Sequence, residues 1–561
     1  MSADRSGPNG SEGGAAAAGG AKRWLFRLLA IGLGLAAALL VAETAVRLYL
    51  SMRPNDIEAL RQFERQKRTA AALQIADFVR LSSNHRLGFE LIPRSEGEFR
   101  GARIRINDAG FFDRERSQAK PPRVYRIAAL GDSILFGWGV PIELRGTSLL
   151  ERFLNRTAAA DWRYEVLNFA VPGYNTMIEA ELLRSRVLAY QPDAVLLSFC
   201  YDNDYQLPSF IARPLPLRTL NHSYLLDLLD AGRRGSAREA LRAGLLTTDP
   251  NRVPPEYRPL VGWPRTYEAL EEIRALAAAR GLPAFFVLDY YWLERWNGGK
   301  IAHNDDLARL YRKVEQLDYQ IVDAAAELLD YLGRHQYHSI ALWLHRRDVH
   351  PNPIKHAIVA KAIYRRLVES GDLPDGRMRR ARLRQDLELW DQLIARTLQR
   401  RLGEGELQTQ WEPPAPAPGV WRTEVGLDRN RQPEHLGMGW CEPEEEGAWI
   451  CGDPAALHFR LDRRTPLVVR LKAQPASSRQ HATQTVVARL NGREQQTAEL
   501  PGQSQTELVF SFAEHAAQPG LNRLRLSAEW AAWSPRRDGH PQQLRSLQVS
   551  EVSFSQPVAP P

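Results

Sequence analysis

The middle of the chain is predicted to be an α/β fold, a three-layer doubly wound parallel sheet, with an all-β sandwich after it and one membrane-spanning helix before it. Three observations predict this. Short apolar runs rich in β-formers alternate with helical segments between residues 124 and 323, as parallel strands joined by crossover helices require. Beyond a proline-rich stretch starting at Trp411 the hydrophobic period changes to two, the spacing of strands with one buried face. Near the N-terminus, Leu28 to Ala42 is an uncharged apolar run.

The 561 residues leave room for two or three domains, and 44% hydrophobic with 25% charged residues is ordinary for a folded protein. Residues 1–23 are low in complexity and are expected to be a disordered tail. Residues 24–49 are expected to form an anchor. The uncharged run alone is short for a span, but its flanks continue the helical pattern, Arg27 and Arg47 can snorkel outward, and Glu43 can pair with Arg47 one turn on. A cleaved signal peptide is the rival reading, but no convincing A-x-A site follows and the apolar helical pattern continues past Glu43. With a short tail and no second span, the expected topology is single-pass and leaves the bulk of the protein outside the cytoplasm.

Residues 50–123 are read as a charged juxtamembrane helix followed by a small hairpin. The sheet strands are expected at 124–130, 164–169, 194–199, 283–289 and 318–323, and the helices at 146–156, 177–190, 266–280 and 307–316. Residues 205–262, rich in proline and basic groups, form an insertion that reads either as a lid or as a surface elaboration. The α/β region ends near residue 370, and 371–404 is an amphipathic helix with Leu383, Leu387, Trp390, Ile394, Leu398 and Leu402 on one face. Its clustered arginines read as a solvated face, with anionic lipid head groups as the alternative. A stiff linker at 405–420 leads to the sandwich at 421–557, expected to be a jelly roll, with strands at 456–461, 466–472, 484–490, 495–500, 506–512, 521–528 and 546–555. Asn491-Gly492 is a strong hairpin signal within it.

Val124 to Leu130 runs straight into Gly131-Asp132-Ser133. A strand that turns sharply into a helix places its turn residue at the carboxyl edge of the sheet, where such sheets bind ligands. Ser133 there is exposed near a helix N-terminus, which favours an oxyanion. Further strands end at Asn168, with Gly173 in the following loop, and at Phe199, with Asn203 just beyond; Asp348-Val349-His350-Pro351-Asn352 comes far downstream. A serine hydroxyl needs a base, His350 suits that role near neutral pH, and Asp348 can orient its imidazole.

Serine, glycine, asparagine and histidine in this order and context resemble the four blocks of the SGNH (GDSL-type) hydrolases over roughly residues 85–370. The membrane helix and hairpin ahead of them look like those of a bacterial subgroup of anchored members, which implies a single-pass protein of a bacterial inner membrane with a periplasmic main body. The resemblance implies an SGNH/flavodoxin-like sheet, Ser133, Asp348 and His350 as catalytic residues, and an oxyanion hole from the backbone N–H groups of Ser133 and Gly173 and the amide of Asn203. Two positions depart from the family pattern: Tyr201 replaces the usual glycine before Asn203, and Asp348 stands two rather than three residues before His350. Asp202 and Asp204 flank Asn203 and are candidates for organising its loop, while His345 and His356 read as structural.

The implied activity is a serine esterase removing acyl groups, acetyl in the first instance, from an extracytoplasmic glycan or small ester. The alternatives are an O-acyltransferase acting on a cell-surface polysaccharide and a non-catalytic polysaccharide-assembly scaffold, with polysaccharide biosynthesis proteins as candidate partners. No cofactor or metal is expected. The net charge of +8 is modest and no Walker loop, zinc-finger spacing or basic-aromatic stripe occurs, so nucleic acid is not an expected partner. Cys441 and Cys451 are candidates for a hairpin disulfide, with unpaired thiols as the alternative, and Cys200 reads as a buried small hydrophobe. Trp440, Trp449, Trp530 and Trp533 are either sugar-stacking or core residues.

Overall fold

The computed structural model describes residues 13–51, 74–84, 86–159, 161–201, 203–208, 223, 225–226, 255–289, 295–296, 300–301, 304–322, 324–345, 348–403, 413, 422–427, 435–441, 443–477, 481–501, 504–534 and 543–556. The interior of the expected lid, almost all of the proline-rich linker and most of the juxtamembrane segment lie outside these residues.

Helix α1, Gly13–Ser51, begins ahead of the expected anchor. The helix thus takes in residues 13–23, which were expected to belong to the tail. Within α1, Phe26–Tyr49 is long and apolar enough to cross a membrane, with a mean hydropathy of 2.1 and none of it buried against protein. The segment expected to continue as a juxtamembrane helix instead contains the strand Val79–Leu81, antiparallel to Phe89–Leu91. A second hairpin, Glu96–Phe99 with Ala102–Arg105, follows. Phe78, Val79, Phe89, Leu91 and Phe99 are buried in the main core, so these hairpins pack on the α/β part.

The central sheet consists of β1 (Val124–Leu130), β2 (Arg163–Asn168), β3 (Ala194–Cys200), β4 (Ala284–Asp289) and β5 (Gln320–Val322). Their spatial order is β5-β4-β3-β1-β2, every pair parallel. Every residue of β1, β3 and β4 is buried, as a sheet covered on both faces demands. The order reverses at β1, since the chain moves one way to β2 and the other way to β3. Such a reversal opens a crevice at the carboxyl ends of the strands.

The covering helices are α2 (Gly146–Arg156), α3 (Thr176–Ser185), α4 (Trp263–Ala278), α5 (Asp305–Gln316), α6 (Ala324–His335), α7 (Pro353–Ser370) and α8 (Gly376–Gly403). Trp390 of α8 is fully buried and stacks on Phe153 of α2 with ring centroids 4.4 Å apart. Arg379, expected on a solvated face, is also fully buried, where it bonds Asp375, Thr157 and the Leu154 carbonyl.

The C-terminal domain is two antiparallel sheets sharing one core. Numbering its eight long strands from Arg422–Gly426 to Leu547–Ser555, one sheet runs 1-8-3-6 and the other 2-7-4-5. That is the double Greek key of a jelly roll. Phe459 and Phe554, one from each sheet, stack at 4.0 Å across the core. Cys441 and Cys451 are disulfide-bonded, with Cα atoms 5.4 Å apart. Trp440 and Trp530 are buried, which removes them as sugar platforms, and Arg545 lies over Trp449 at 5.3 Å. Trp533 alone of the four is exposed.

Candidate functional site

Ser133 opens a single helical turn, Ser133–Phe136, whose N-cap is Asp132. The Asp132 carboxylate accepts the Ile134 N–H at 2.8 Å, which fixes the turn after β1. Gly131 is required just before it: a Cβ there would stand 2.8 Å from the Leu135 Cβ and 3.2 Å from the Ser198 Cβ. The strand therefore delivers Ser133 into the crevice through a joint that only glycine fits.

Asp348 and His350 lie on one short strand, Asp348–Pro351, antiparallel to Trp343–His345. Residues two apart on a strand project to the same face. The shortened Asp-His spacing thus still brings the pair together: His350 Nδ1 meets Asp348 Oδ1 at 2.5 Å. On the other side of the ring, His350 Nε2 lies 2.9 Å from Ser133 Oγ. Burial alone would push the Asp348 carboxyl up, but the hydrogen bonds and charge of His350 and the bond from Trp138 outweigh it and hold the carboxyl below its ordinary value.

Trp138 escaped the sequence reading. Its indole N–H donates to Asp348 Oδ2 at 3.2 Å, and its ring stacks on the His350 imidazole at 4.5 Å with planes 10° apart. Two glycines with positive φ, Gly137 and Gly139, bracket it. That Gly-Trp-Gly signature was legible in the sequence, but nothing there connected it with a strand some 210 residues away.

The loops after β2 and β3 are tied to this turn. Val171 N–H donates to the Gly131 carbonyl at 3.1 Å, and Thr176 N–H to the Asp204 carbonyl at 3.3 Å. Gly173 sits in the first of these loops with φ of +84°, a left-handed conformation that favours glycine. Asn203 sits in the second, and its Nδ2 donates to Asp132 Oδ2 at 2.9 Å. Its amide has a second hydrogen, so this bond orients the group without exhausting it. Tyr201 does not swing Asn203 away. Its ring is buried toward Tyr205 and Trp263, and its hydroxyl donates to Asn304 Oδ1 at 2.7 Å.

Ser133, Asp348 and His350 form one hydrogen-bonded chain, with Asn203 linked to the same turn through Asp132, while Gly173 is placed through its loop. His345 is exposed on the neighbouring strand, and His356 is buried in α7, where burial, with Lys355, Arg145 and His350, pushes its imidazole down to about 3. Asp202 lies outside the described residues. Among the described residues no group of three or more histidine, cysteine or acidic side chains is placed to hold a metal ion. The arrangement is equipped for nucleophilic attack by a serine whose proton is taken by an oriented imidazole.

The solved structures similar to this chain include a two-domain esterase (CEX) active on acetylated mannans, at 12% identity and a TM-score of 0.27, covering 78% of this chain and 92% of that one. Axe2, an acetylxylan esterase from Geobacillus stearothermophilus, matches at 14% identity and a TM-score of 0.27, covering 43% of this chain and 94% of its own. A lipase/acylhydrolase from Enterococcus faecalis matches at 14% identity and a TM-score of 0.26, covering 43% and 95%. None of the curated proteins matches the chain. The sequence model of the GDSL-like lipase/acylhydrolase family matches residues 129–358, which hold Ser133, Gly173, Asn203, Asp348 and His350, and this chain is accordingly a hydrolase with a GDSL-like lipase/acylhydrolase domain.

Proposed function

We propose that the protein is a membrane-anchored serine esterase that removes acyl groups, acetyl foremost, from an extracytoplasmic glycan through an acyl-serine intermediate. The observation that carries the chemistry is the unbroken chain from Ser133 Oγ through His350 to Asp348, with contacts of 2.9 and 2.5 Å. His350 Nε2 takes the Ser133 proton as Oγ attacks the ester carbonyl, and the imidazolium is stabilised by Asp348. The carbonyl oxygen becomes an oxyanion facing the N–H groups of Ser133 and Gly173 and the side-chain amide of Asn203. When the C–O bond breaks, His350 returns the proton to the leaving alcohol. Water, deprotonated by His350, then attacks the acyl-serine, and the acid departs as Ser133 recovers its proton.

The placement outside the cytoplasm is supported by the apolar stretch Phe26–Tyr49 and by the Cys441–Cys451 disulfide, which suits an oxidising compartment. The glycan is supported by the appended jelly roll with its exposed Trp533, a surface on which a sugar ring can stack. The test is labelling with a fluorophosphonate followed by a screen of acetylated glycans. Wild type is expected to be labelled at Ser133 and to hydrolyse p-nitrophenyl acetate, and Ser133→Ala to do neither while keeping its fold. Equal turnover by the variant removes Ser133 as the nucleophile. Shielding of the jelly roll from protease added to spheroplasts, whose outer membrane has been opened and whose inner membrane is intact, overturns the topology.

A further inference from the structure

We propose that Glu179 is a positioning residue for the oxyanion hole: it is held as a neutral carboxylic acid that donates its proton to Asp204 and thereby fixes the turn carrying Asn203. The inference rests on the esterase reading of Ser133 and Asn203 given above.

Glu179, Asp204 and Asp132 are all fully buried. Asp132 is well supplied with donors, from Ile134 and Asn203. Glu179 is not: among the described residues neither of its carboxyl oxygens has a hydrogen-bond partner, and neither do Asp204 Oδ1 and the Thr176 hydroxyl. The backbone bond from Thr176 to the Asp204 carbonyl brings the first turn of α3, which carries Glu179, against the loop after β3. Four orphaned polar atoms in one buried place call for an explanation. A proton shared between the two carboxyl groups satisfies two of these atoms at once, one oxygen of Glu179 as donor and Asp204 Oδ1 as acceptor, because a protonated carboxyl gains a donor that an ionised one lacks.

The charges around the pair point the same way. Asp132 faces it from the turn after β1 and Asp289 from the end of β4. Lys355 of α7 is taken by Asp289 at 2.5 Å, and His350 is bonded to Asp348 and Ser133. From α4, Thr266 meets Met177, and Glu272 faces Arg184 at the far end of α3, 4.0 Å away. An ionised Glu179 would thus be a buried charge among acids without a donor, which is costly. Burial, with Asp132, raises its carboxyl well above the ordinary range, and burial, with Glu179 and Asp132, does the same for Asp204.

The route to the site is short. Asp204 Oδ2 accepts the Cys200 N–H at 2.7 Å, and the Asn203 and Asp204 N–H groups both return to the Cys200 carbonyl, at 3.2 and 3.0 Å. Asp204 therefore clamps the turn on which Asn203 stands. Holding Asp204 from behind fixes the direction of the Asn203 amide.

Infrared spectroscopy of the full-length protein at pH 8 tests the protonation state. The wild type minus Glu179→Gln difference spectrum is expected to contain the carbonyl band of a protonated carboxylic acid; its absence overturns the proposal. Kinetics test the positioning role. Glu179→Gln keeps a donor toward Asp204 and is expected to leave kcat within about threefold of wild type, whereas Glu179→Met is expected to lower kcat by about 10- to 100-fold with KM unchanged. Fluorophosphonate labelling of Ser133 is expected to persist in both variants. A folded Glu179→Met protein with wild-type kcat, or a Gln variant as impaired as the Met one, overturns the role. A wild type whose Ser133 resists labelling refutes the esterase reading and leaves the infrared result standing, so the two failures are separable.

Discussion

Trp138 does two jobs with one ring: its face packs on His350 and its N–H holds the Asp348 oxygen that His350 does not use. The variant Trp138→Phe keeps a flat ring and deletes the donor. Losing one hydrogen bond to a charged group costs about 1.5–3 kcal/mol, so kcat/KM should fall by about 10- to 100-fold. Steady-state kinetics on p-nitrophenyl acetate check this, with the loss expected in kcat. Unchanged kcat makes the indole mere packing. Asn203 is argued on the same scale. Its Nδ2 is anchored on Asp132 at 2.9 Å, and removing a donor from an oxyanion hole costs about 10²–10³ in kcat. Asn203→Ala should show that loss at little change in KM, since the donor acts where charge develops. Asn203→Asp should be worse still, because it sets a carboxylate against the buried Asp132 as well as against the oxyanion. Near-wild-type kcat in Asn203→Ala reduces the hole to its backbone donors.

At the scale of elements, what was legible in the sequence is what local pattern alone decides. Strand β1 and helix α2 occupy the expected residues, because an apolar run ended by Gly131 and an amphipathic run opened after Arg145 leave no competing reading. Helix α6 was missed, since Ala324–His335 follows β5 with no glycine or proline to mark the joint. The first jelly-roll strand, Arg422–Gly426, was missed because its partner, Leu547–Ser555, lies at the far end of the domain. In the site, the four motif residues were legible as types in order, whereas Trp138, Glu179 and the buried role of Arg379 depend on contacts made only by the fold. Arg379 shows the difference: a cluster of arginines at a helix start reads as solvated, yet this one sits over Tyr164 at 4.7 Å and bonds Asp375 at 2.6 Å. Tyr164 also donates to Asp375, so α8 is locked to β2 through a buried ion pair. Breaking one partner of such a pair costs about 3–5 kcal/mol, because the other charge is left buried. Arg379→Met should therefore lower the first urea-unfolding transition by that amount. A change below about 1 kcal/mol, the worth of a surface ion pair, makes α8 a loose addition.

For the whole molecule, the question is how the jelly roll is held on the α/β domain. Tyr337 pairs with Gly437 across the junction, and Arg525 reaches Gln336 at 3.3 Å. Between them His338, fully buried, uses both ring nitrogens: Nε2–H donates to the Trp440 carbonyl at 2.9 Å, and Nδ1 accepts the Ile340 N–H at 3.2 Å. Only the neutral ring can do both, since a proton on Nδ1 would face the Ile340 N–H. Burial pushes this imidazole down to about 4, against the raising effect of the Trp440 and Cys441 carbonyls. The unfolded ring titrates near 6.5 and the folded ring near 4, so between those values the unfolded chain holds more protons. The contribution of His338 is then full above about pH 6.5 and is lost as pH falls toward 4. His458, pushed down to about 4 inside the jelly roll, and His356, to about 3 in α7, act in the same direction, so each of these imidazoles takes stability from the fold as pH falls. What singles out His338 is its place at the junction. Scanning calorimetry from pH 7.5 to 5 should show the two domains melting together at the upper end and separately at the lower one. Limited proteolysis should cut at the junction only in acid. In His338→Gln, whose amide donates and accepts without titrating, the separation should lose its pH dependence. If that variant separates with the same pH dependence as wild type, the junction is held by its other contacts and His338 is a passenger there.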